Sequence, residues 1–206
     1  MHNYPNEINN LIAGLNRVEI TDFHVSGDTV FIIDNKYVLK VSKNLDRLNK
    51  EFEKDEWFNK ILPTPKPIKF IIEDKVAYYL REYLDGENLC SSKYLSRPLV
   101  LIKLLKEALN MFHSKDTKGC PFIVGNGDSL IHGDFCLPNI LVKDDQVVGF
   151  VDIGDAGVGD IWYDYAWCIW SFEYNLGTKE YTKYLLDELK IEFDKEKFIL
   201  YTNEEE

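Results

Sequence analysis

The chain has 206 residues and a net charge of −11, with 45% hydrophobic, 14% aromatic and 29% charged side chains. That length suffices for one sizeable domain or two small lobes, and the composition belongs to a chain that buries a core, which excludes a disordered one. The acidic balance argues against a nucleic-acid partner, whose phosphates are bound by clustered Lys and Arg, and suits a polycation better, although excess carboxylate also serves solubility.

The opening MHNYPNEINN has no basic segment followed by an apolar core, and no apolar run nears the ~18 residues of a membrane span, so a cytoplasmic protein without membrane contact is expected. Cys90, Cys120, Cys136 and Cys168 are widely spaced with no CxxC pair, which predicts reduced thiols and neither a zinc ribbon nor a disulfide framework.

In chain order, the first feature is the turn His24-Val25-Ser26-Gly27-Asp28-Thr29. Its backbone N–H groups at Ser26 and Gly27 are candidates to cap phosphates, with Gly27 permitting close approach; an ordinary hairpin turn reads the same way. Two β-rich stretches, TVFII and KYVLKVS, flank Asp34-Asn35, the composition of a tight hairpin. A helix is predicted from Arg47 to Ile61, with Pro63 and Pro65 beyond its end. A second hairpin, IKFII and VAYYLREYL, turns around Glu73-Asp74-Lys75. The order hairpin, helix, hairpin describes an antiparallel sheet with a helix packed on it. After Asp85-Gly86 the pattern turns helical, with Leu99, Ile102, Leu105, Leu109 and Phe112 at helical spacing between Arg97 and Ser114. A third hairpin pairs Asn139 to Lys143 with Gln146 to Asp152 across Asp144-Asp145, and Trp162 to Asn203 reads as two or more helices.

Chemistry concentrates in IHGDFCLPNILVKDDQVVGFVDIGD, Ile131 to Asp155. Pairing across the hairpin brings Asn139 beside Asp152, with opposed Cα atoms roughly 5 Å apart, and Asp134 lies in the loop feeding the first strand. Two carboxylates and an amide oxygen therefore gather at one end. Phosphoryl transfer calls for such a set: magnesium takes oxygen ligands, and a further carboxylate orients the attacking hydroxyl. Asp134 is assigned to the acceptor alcohol, and Asn139 and Asp152 to the metal. Singly, each residue is also an ordinary turn or cap residue; jointly, H-x-D, Asn, a hairpin and D-x-G match kinase catalytic and magnesium loops. The same reading demands a strand lysine and a helix glutamate, met by Lys40 and by Glu51, which is preferred over Glu53 and Glu56. Arg81-Glu82-Tyr83-Leu84 occupies the place of a hinge whose backbone, at Glu82 and Leu84, would bond adenine.

These residues resemble the aminoglycoside 3′-phosphotransferases, from about Val30 onward with one large gap. The similarity is strongest in HGDFCLPNILVKDDQVVGFVDIGDAG and GDIWYDYAWC, and is supported by YVLK, ILPTPK and MFHSKDTKGCPF. It implies an α+β, bilobal, protein-kinase-like fold with an antiparallel-sheet N-terminal lobe carrying one helix, residues 1–84, and a mainly helical C-terminal lobe carrying the catalytic hairpin, residues 85–206. Nucleotide would bind between the lobes of a monomer or weak dimer. The resemblance further implies ATP or GTP as donor, two magnesium ions, Asp134 as the catalytic carboxylate, Lys40 and Glu51 on the phosphates, Asn139 and Asp152 on the metal, and Asp164 as support for the catalytic loop.

Departures concern the acceptor. Only Ile123 to Ser129 stand where the family has a long helical insert, an acidic pair appears as Tyr174-Asn175, and an Arg after the metal aspartate is Asp155. The chain ends Glu204-Glu205-Glu206 without the family's final aromatic residue. Three readings follow. An aminoglycoside kinase is favoured by the overall match and by Asp155, Asp160 and Glu206 as candidate ammonium ligands. A kinase for another small alcohol is favoured by the missing insert. A nucleotide-binding module without transfer activity fits least, since Lys40, Asp134, Asn139 and Asp152 are all present.

Overall fold

A computed structural model describes residues 4–20 and 28–203; Ser26, Gly27 and Glu206 lie outside the described residues. The chain divides into two compact units, Met1–Asp85 and Gly86–Glu206.

The first unit contains α1 (Asn6–Leu11), β1 (Arg17–Ile20), β2 (Thr29–Ile33), β3 (Tyr37–Ser42), α2 (Leu45–Phe58), β4 (Pro67–Glu73) and β5 (Val76–Glu82). The strands form one antiparallel sheet in the order β1-β2-β3-β5-β4. Both expected hairpins are present. Asp34 and Asn35 turn with φ of 48° and 50°, and Asp74 and Lys75 with 51° and 63°, the left-handed pair whose twist matches that of the flanking strands. Alternation along the strands gives the sheet two apolar faces. Phe31, Ile33, Leu39 and Leu80 pack with Ile8 and Ile12 on one side, while Ala77 and Tyr79 pack with Leu48 of α2 on the other. Helix α2 begins where Asn44 accepts the Arg47 N–H at 3.2 Å. It stops at Phe58, short of the expected Ile61, because the chain tightens there: the Ile61 N–H bonds the Phe58 carbonyl at 2.9 Å.

The second unit contains β6 (Glu87–Asn88), α3 (Ser92–Leu95), α4 (Pro98–His113), β7 (Ser129–Ile131), β8 (Ile140–Lys143), β9 (Gln146–Phe150), β10 (Gly157–Gly159), α5 (Ile161–Leu176), α6 (Thr182–Leu189) and α7 (Lys195–Thr202). Helix α4 takes Pro98 in its first turn and buries Leu101, Leu105, Ala108, Leu109 and Phe112. The β8–β9 hairpin turns on Asp144 and Asp145, with φ of 52° and 58°. Its tip is held to the start of α4 by a forked pair from Arg97 to Asp145, at 2.9 and 2.5 Å. Strands β6, β8 and β9 form one small sheet, and β7 pairs antiparallel with β10. Helix α5 ends at Gly177, whose φ of 66° lets its N–H cap the Glu173 carbonyl at 2.9 Å. The region after Trp162 is thus three helices. Among the described residues no helix is long and apolar enough to cross a membrane. All four cysteines are free thiols, with Cys136 and Cys168 buried.

Candidate active site

Strand β7 delivers the chain into His132-Gly133-Asp134, and a buried carboxylate from the next helix fixes that segment. Asp164 lies in the first turn of α5, completely buried, where the helix N-terminus favours negative charge. Its Oδ2 accepts the His132 backbone N–H at 2.8 Å, and its Oδ1 accepts the Gly133 N–H at 3.0 Å. His113, from the end of α4, donates its Nε2 to Oδ2 at 3.0 Å. The His132 ring is fixed as well: Nδ1 accepts the Asp134 N–H at 3.3 Å, so the proton sits on Nε2, which faces the Val151 carbonyl at 3.1 Å.

Asp134 and Asn139 are brought together as the spacing predicts. The Asn139 amide donates to the Asp134 carbonyl at 3.0 Å and to Asp134 Oδ2 at 2.8 Å. Both partners are acceptors, so the side-chain orientation of Asn139 follows from them. Asn139 Oδ1 accepts no hydrogen bond from the described residues, and the Asp134 carboxylate, which also takes the Cys136 thiol, keeps lone pairs for a hydroxyl or a hard cation. Cys136 is buried beside Asp134; burial, and then the neighbouring carboxylate charge, push its thiol far above the usual range, so it stays protonated.

The β8–β9 register, extended by the Val151 N–H to Asn139 carbonyl bond at 3.0 Å, puts Asp152 one step past the residue that pairs with Asn139. Asp152 is exposed, and its φ of 58° is left-handed. The other non-glycine residues with positive φ among those described lie in the three hairpin turns or cap helices at Lys190 and Asn203. Asp152 instead precedes the short 3-10 turn Ile153–Asp155 without bonding it through its side chain, the kind of conformational outlier that accompanies functional loops. An exposed carboxylate beside an amide oxygen with no partner is a donor set that suits magnesium, which takes one or two protein oxygens and completes its shell with phosphates and water. No cluster of three or more His, Cys, Asp or Glu disposed for a metal occurs among the described residues.

Gly133 ties the two loops together. Its φ is 79°, and a Cβ there would lie 2.3 Å from the Asp155 carbonyl oxygen. Gly133→Ala combines left-handed strain of about 1–3 kcal/mol with a backbone clash, and Tm is expected to fall by about 5 °C or more. Gly125→Ala, whose added methyl meets nothing within 4 Å, should leave Tm nearly unchanged in the same thermal melts. Equal melting of the two variants would show that the loop is not held this way.

In the first unit, Lys40 on β3 and Glu51 on α2 form a buried pair, Nζ to Oε1 at 2.6 Å. Glu53 and Glu56 are exposed on other faces of that helix. Two further charged residues complete the surroundings, Asp55 and Arg81, the latter expected only as the start of the hinge: Arg81 Nη1 donates to Glu51 Oε1 at 2.7 Å and to Asp55 Oδ2 at 3.2 Å. At the end of β5, the Glu82 N–H is committed to the Lys66 carbonyl at 2.9 Å and the Tyr83 N–H to the Lys36 carbonyl at 2.9 Å, while Leu84 is half-buried with its N–H unclaimed among the described residues.

The acidic acceptor candidates divide. Asp155 is exposed and backs onto Gly133. Asp160 is already engaged: it caps α5 through the Trp162 N–H at 3.0 Å and accepts Lys197 Nζ at 2.7 Å and the Tyr201 hydroxyl at 2.8 Å. Partial burial raises its carboxyl, but the bonds from Lys197, the Trp162 N–H and Tyr201 outweigh this and hold it below the usual range. Of the unexpected participants, His113 carried a signal, being the last residue of the apolar stripe of α4 after Leu109 and Phe112.

Residues 127–199 match the family model described as the phosphotransferase enzyme family. An aminoglycoside 3′-phosphotransferase of Enterococcus faecalis is 30% identical over 201 residues, covering 73% of this chain and 76% of the relative. A probable aminoglycoside 3′-phosphotransferase of Lactococcus lactis subsp. lactis (strain IL1403) is 28% identical over 206 residues, covering 77% of this chain and 78% of the relative. Among solved structures, the aminoglycoside phosphotransferase APH(3″)-Id from Streptomyces rimosus ATCC10970, in complex with ADP and streptomycin, superposes with a TM-score of 0.76 at 18% identity, covering 92% of this chain and 91% of that one. The last likeness is one of fold, and the fold is kinase-like, as the catalytic-loop motifs led us to expect.

Proposed function

The chain belongs to the aminoglycoside phosphotransferase family, and from that membership we propose that it transfers the γ-phosphoryl group of ATP to a hydroxyl of an aminoglycoside. The observation that carries the reading is the Asp134–Asn139 pair: a carboxylate held at 2.8 Å by an amide whose own oxygen accepts no bond from the described residues, in a loop fixed by buried Asp164.

In this reading Asp134 Oδ1 accepts the hydrogen bond of the acceptor hydroxyl, orients its lone pair toward the γ-phosphorus and takes the proton as the new bond forms. Asn139, by donating to Oδ2, keeps the other oxygen turned toward the substrate. The transition state of such transfers is largely dissociative, so alignment matters more than early proton removal. Asn139 Oδ1 and the Asp152 carboxylate are the groups that would hold magnesium, which when bound neutralises charge on the phosphates. Lys40, paired with Glu51, is assigned to the nucleotide phosphates, and Leu84, with its unclaimed N–H, to the adenine edge. Asp155 is the carboxylate open to an acceptor ammonium group, since Asp160 is engaged by Lys197 and Tyr201. A cytoplasmic location fits both the four free thiols and the use of ATP.

A second reading, a kinase for a different small alcohol, is favoured by the short connection before β7. Ile123 bridges Val158, the Val124 N–H bonds the Val158 carbonyl at 3.0 Å, and β7 begins at Ser129, so the family's helical insert has no counterpart there. Magnesium-dependent release of ADP from ATP, and of GDP from GTP, with panels of aminoglycosides, sugars and amino alcohols separates the readings. Stimulation by kanamycin-like compounds is expected. Stimulation only by another alcohol would transfer the assignment to the second reading, and no stimulated release from either nucleotide would refute both.

A further inference from the structure

Helix α2 buries Leu48, Glu51, Asp55 and Phe58 along one stripe, so two carboxylates one turn apart face the core together. Carboxylates at i and i+4 repel, and burial magnifies the effect: Glu51 is 2% exposed and Asp55 not at all. Strand β5 supplies the compensation. Its alternation sends Ala77, Tyr79 and Arg81 to the face that α2 covers, and Arg81 is 4% exposed. One guanidinium nitrogen, Nη1, bonds both carboxylates, and Tyr79 donates to Asp55 Oδ2 at 2.6 Å. The Glu51 oxygen that Arg81 bonds, Oε1, is the one that receives Lys40.

We propose that Arg81 is a positioning residue for donor binding: by holding Glu51 Oε1 in place, with Asp55 and Tyr79 steadying the guanidinium, it fixes Lys40 where the nucleotide phosphates need it. The inference rests on the reading of Lys40 as the phosphate-binding lysine. A lysine on its own is a flexible stem with a hydrated head, and it becomes directional only when its partner cannot move. Glu51 bonded by Lys40 alone would be free to turn, and the charge of Asp55 beside it would drive it to do so. Asp55 already shows the strain of the site, with burial pushing its carboxyl up to about 6 against the pull of Arg81.

The test uses Arg81→Met, Arg81→Lys and the double change Arg81→Met with Asp55→Asn, reading Tm and the separate KM values for ATP and acceptor. Arg81→Met is expected to raise the ATP KM about tenfold or more, leave the acceptor KM in place and lower Tm. Arg81→Lys, which keeps the charge but puts it on a flexible, more strongly hydrated head in place of the planar guanidinium, should fall between it and the parent. The double variant removes the carboxylate charge left without its partner, so Tm should recover while the ATP KM stays high. Recovery of both would mean that Arg81 serves only to balance charge, and an unaltered ATP KM in Arg81→Met or, should that variant not fold, in the double variant would equally overturn the proposal. A Lys40→Ala control separates the premises. If it leaves the ATP KM unchanged in an otherwise active enzyme, the inference fails while the phosphotransferase reading stands; if the parent neither binds nor turns over ATP, both fall.

Discussion

Asp134→Asn is expected to lower kcat by roughly 10²–10⁴ while leaving the KM for ATP within about twofold of the parent. The substitution is nearly isosteric, and the introduced amide can still offer its oxygen to Asn139, which donates to that position at 2.8 Å. The loop should keep its shape, because what fixes it is Asp164 below, not the charge of Asp134. What changes is the atom facing the acceptor: an NH2 donor replaces a carboxylate oxygen, so the hydroxyl loses both its orienting acceptor and its proton sink. A thousandfold loss corresponds to about 4 kcal/mol of transition-state stabilisation, within reach of one misplaced polar group in a site whose catalysis is mostly alignment. Steady-state kinetics with varied ATP and a saturating acceptor measure this directly. Turnover near the parent value would remove Asp134 from the reaction, and a large rise in the ATP KM would reassign it to the donor side.

The contrast between what the sequence revealed and what it hid follows the length scale of the physics. The three hairpins were legible because paired turn residues, Asp34-Asn35, Asp74-Lys75 and Asp144-Asp145, tolerate positive φ and flank β-rich runs. Strand β10 was not: Gly157-Val158-Gly159 has no strand propensity, and it pairs with β7 because the two glycines let Phe122, Val124 and Ile131 come close. Strand β1, Arg17-Val18-Glu19-Ile20, has a strand's alternation but only four residues of it, and its pairing with β2 is what extends the sheet. In the site, the spacing from Asp134 to Asn139 and across the hairpin to Asp152 was enough to gather them, because local chain geometry does the work. Glu51 could be preferred over Glu53 and Glu56, and the helix supplies the reason: Leu48, Glu51, Asp55 and Phe58 share one face. That stripe also carried an unread signal, a second carboxylate on a buried face. Arg81 in phase with Ala77 and Tyr79 was its complement on the strand. The two meet only when the sheet and helix come together, and a single chain segment holds no record of that meeting.

The largest stability effect should come from Asp164→Ala. Removing this carboxylate takes the acceptor from the backbone N–H groups of His132 and Gly133 and from His113, all at a position with no access to water. Hydrogen bonds to charged groups contribute about 1.5–3 kcal/mol each, and a buried donor left unsatisfied costs about 1–3 kcal/mol, so a combined loss of about 4–6 kcal/mol is reasonable after allowing for non-additivity. For a chain of this size that corresponds to a fall in Tm of about 10 °C or more. Asp164→Asn should not rescue it, because an amide presents one acceptor and one donor where the loop presents donors on both sides, so one N–H would face an NH2. Glutamate keeps both acceptors but adds a methylene in a fully packed first turn, and should fall between the parent and the alanine variant. The loss ought also to be local in origin: hydrogen exchange at His132 and Gly133 should accelerate more than exchange in the sheet of the first unit, since the donors set free are these two. Thermal melts and exchange on the same variants provide the check. If Asp164→Ala melted with the parent, or if protection at His132 and Gly133 were unchanged, the catalytic loop would have to be held by something other than the carboxylate beneath it.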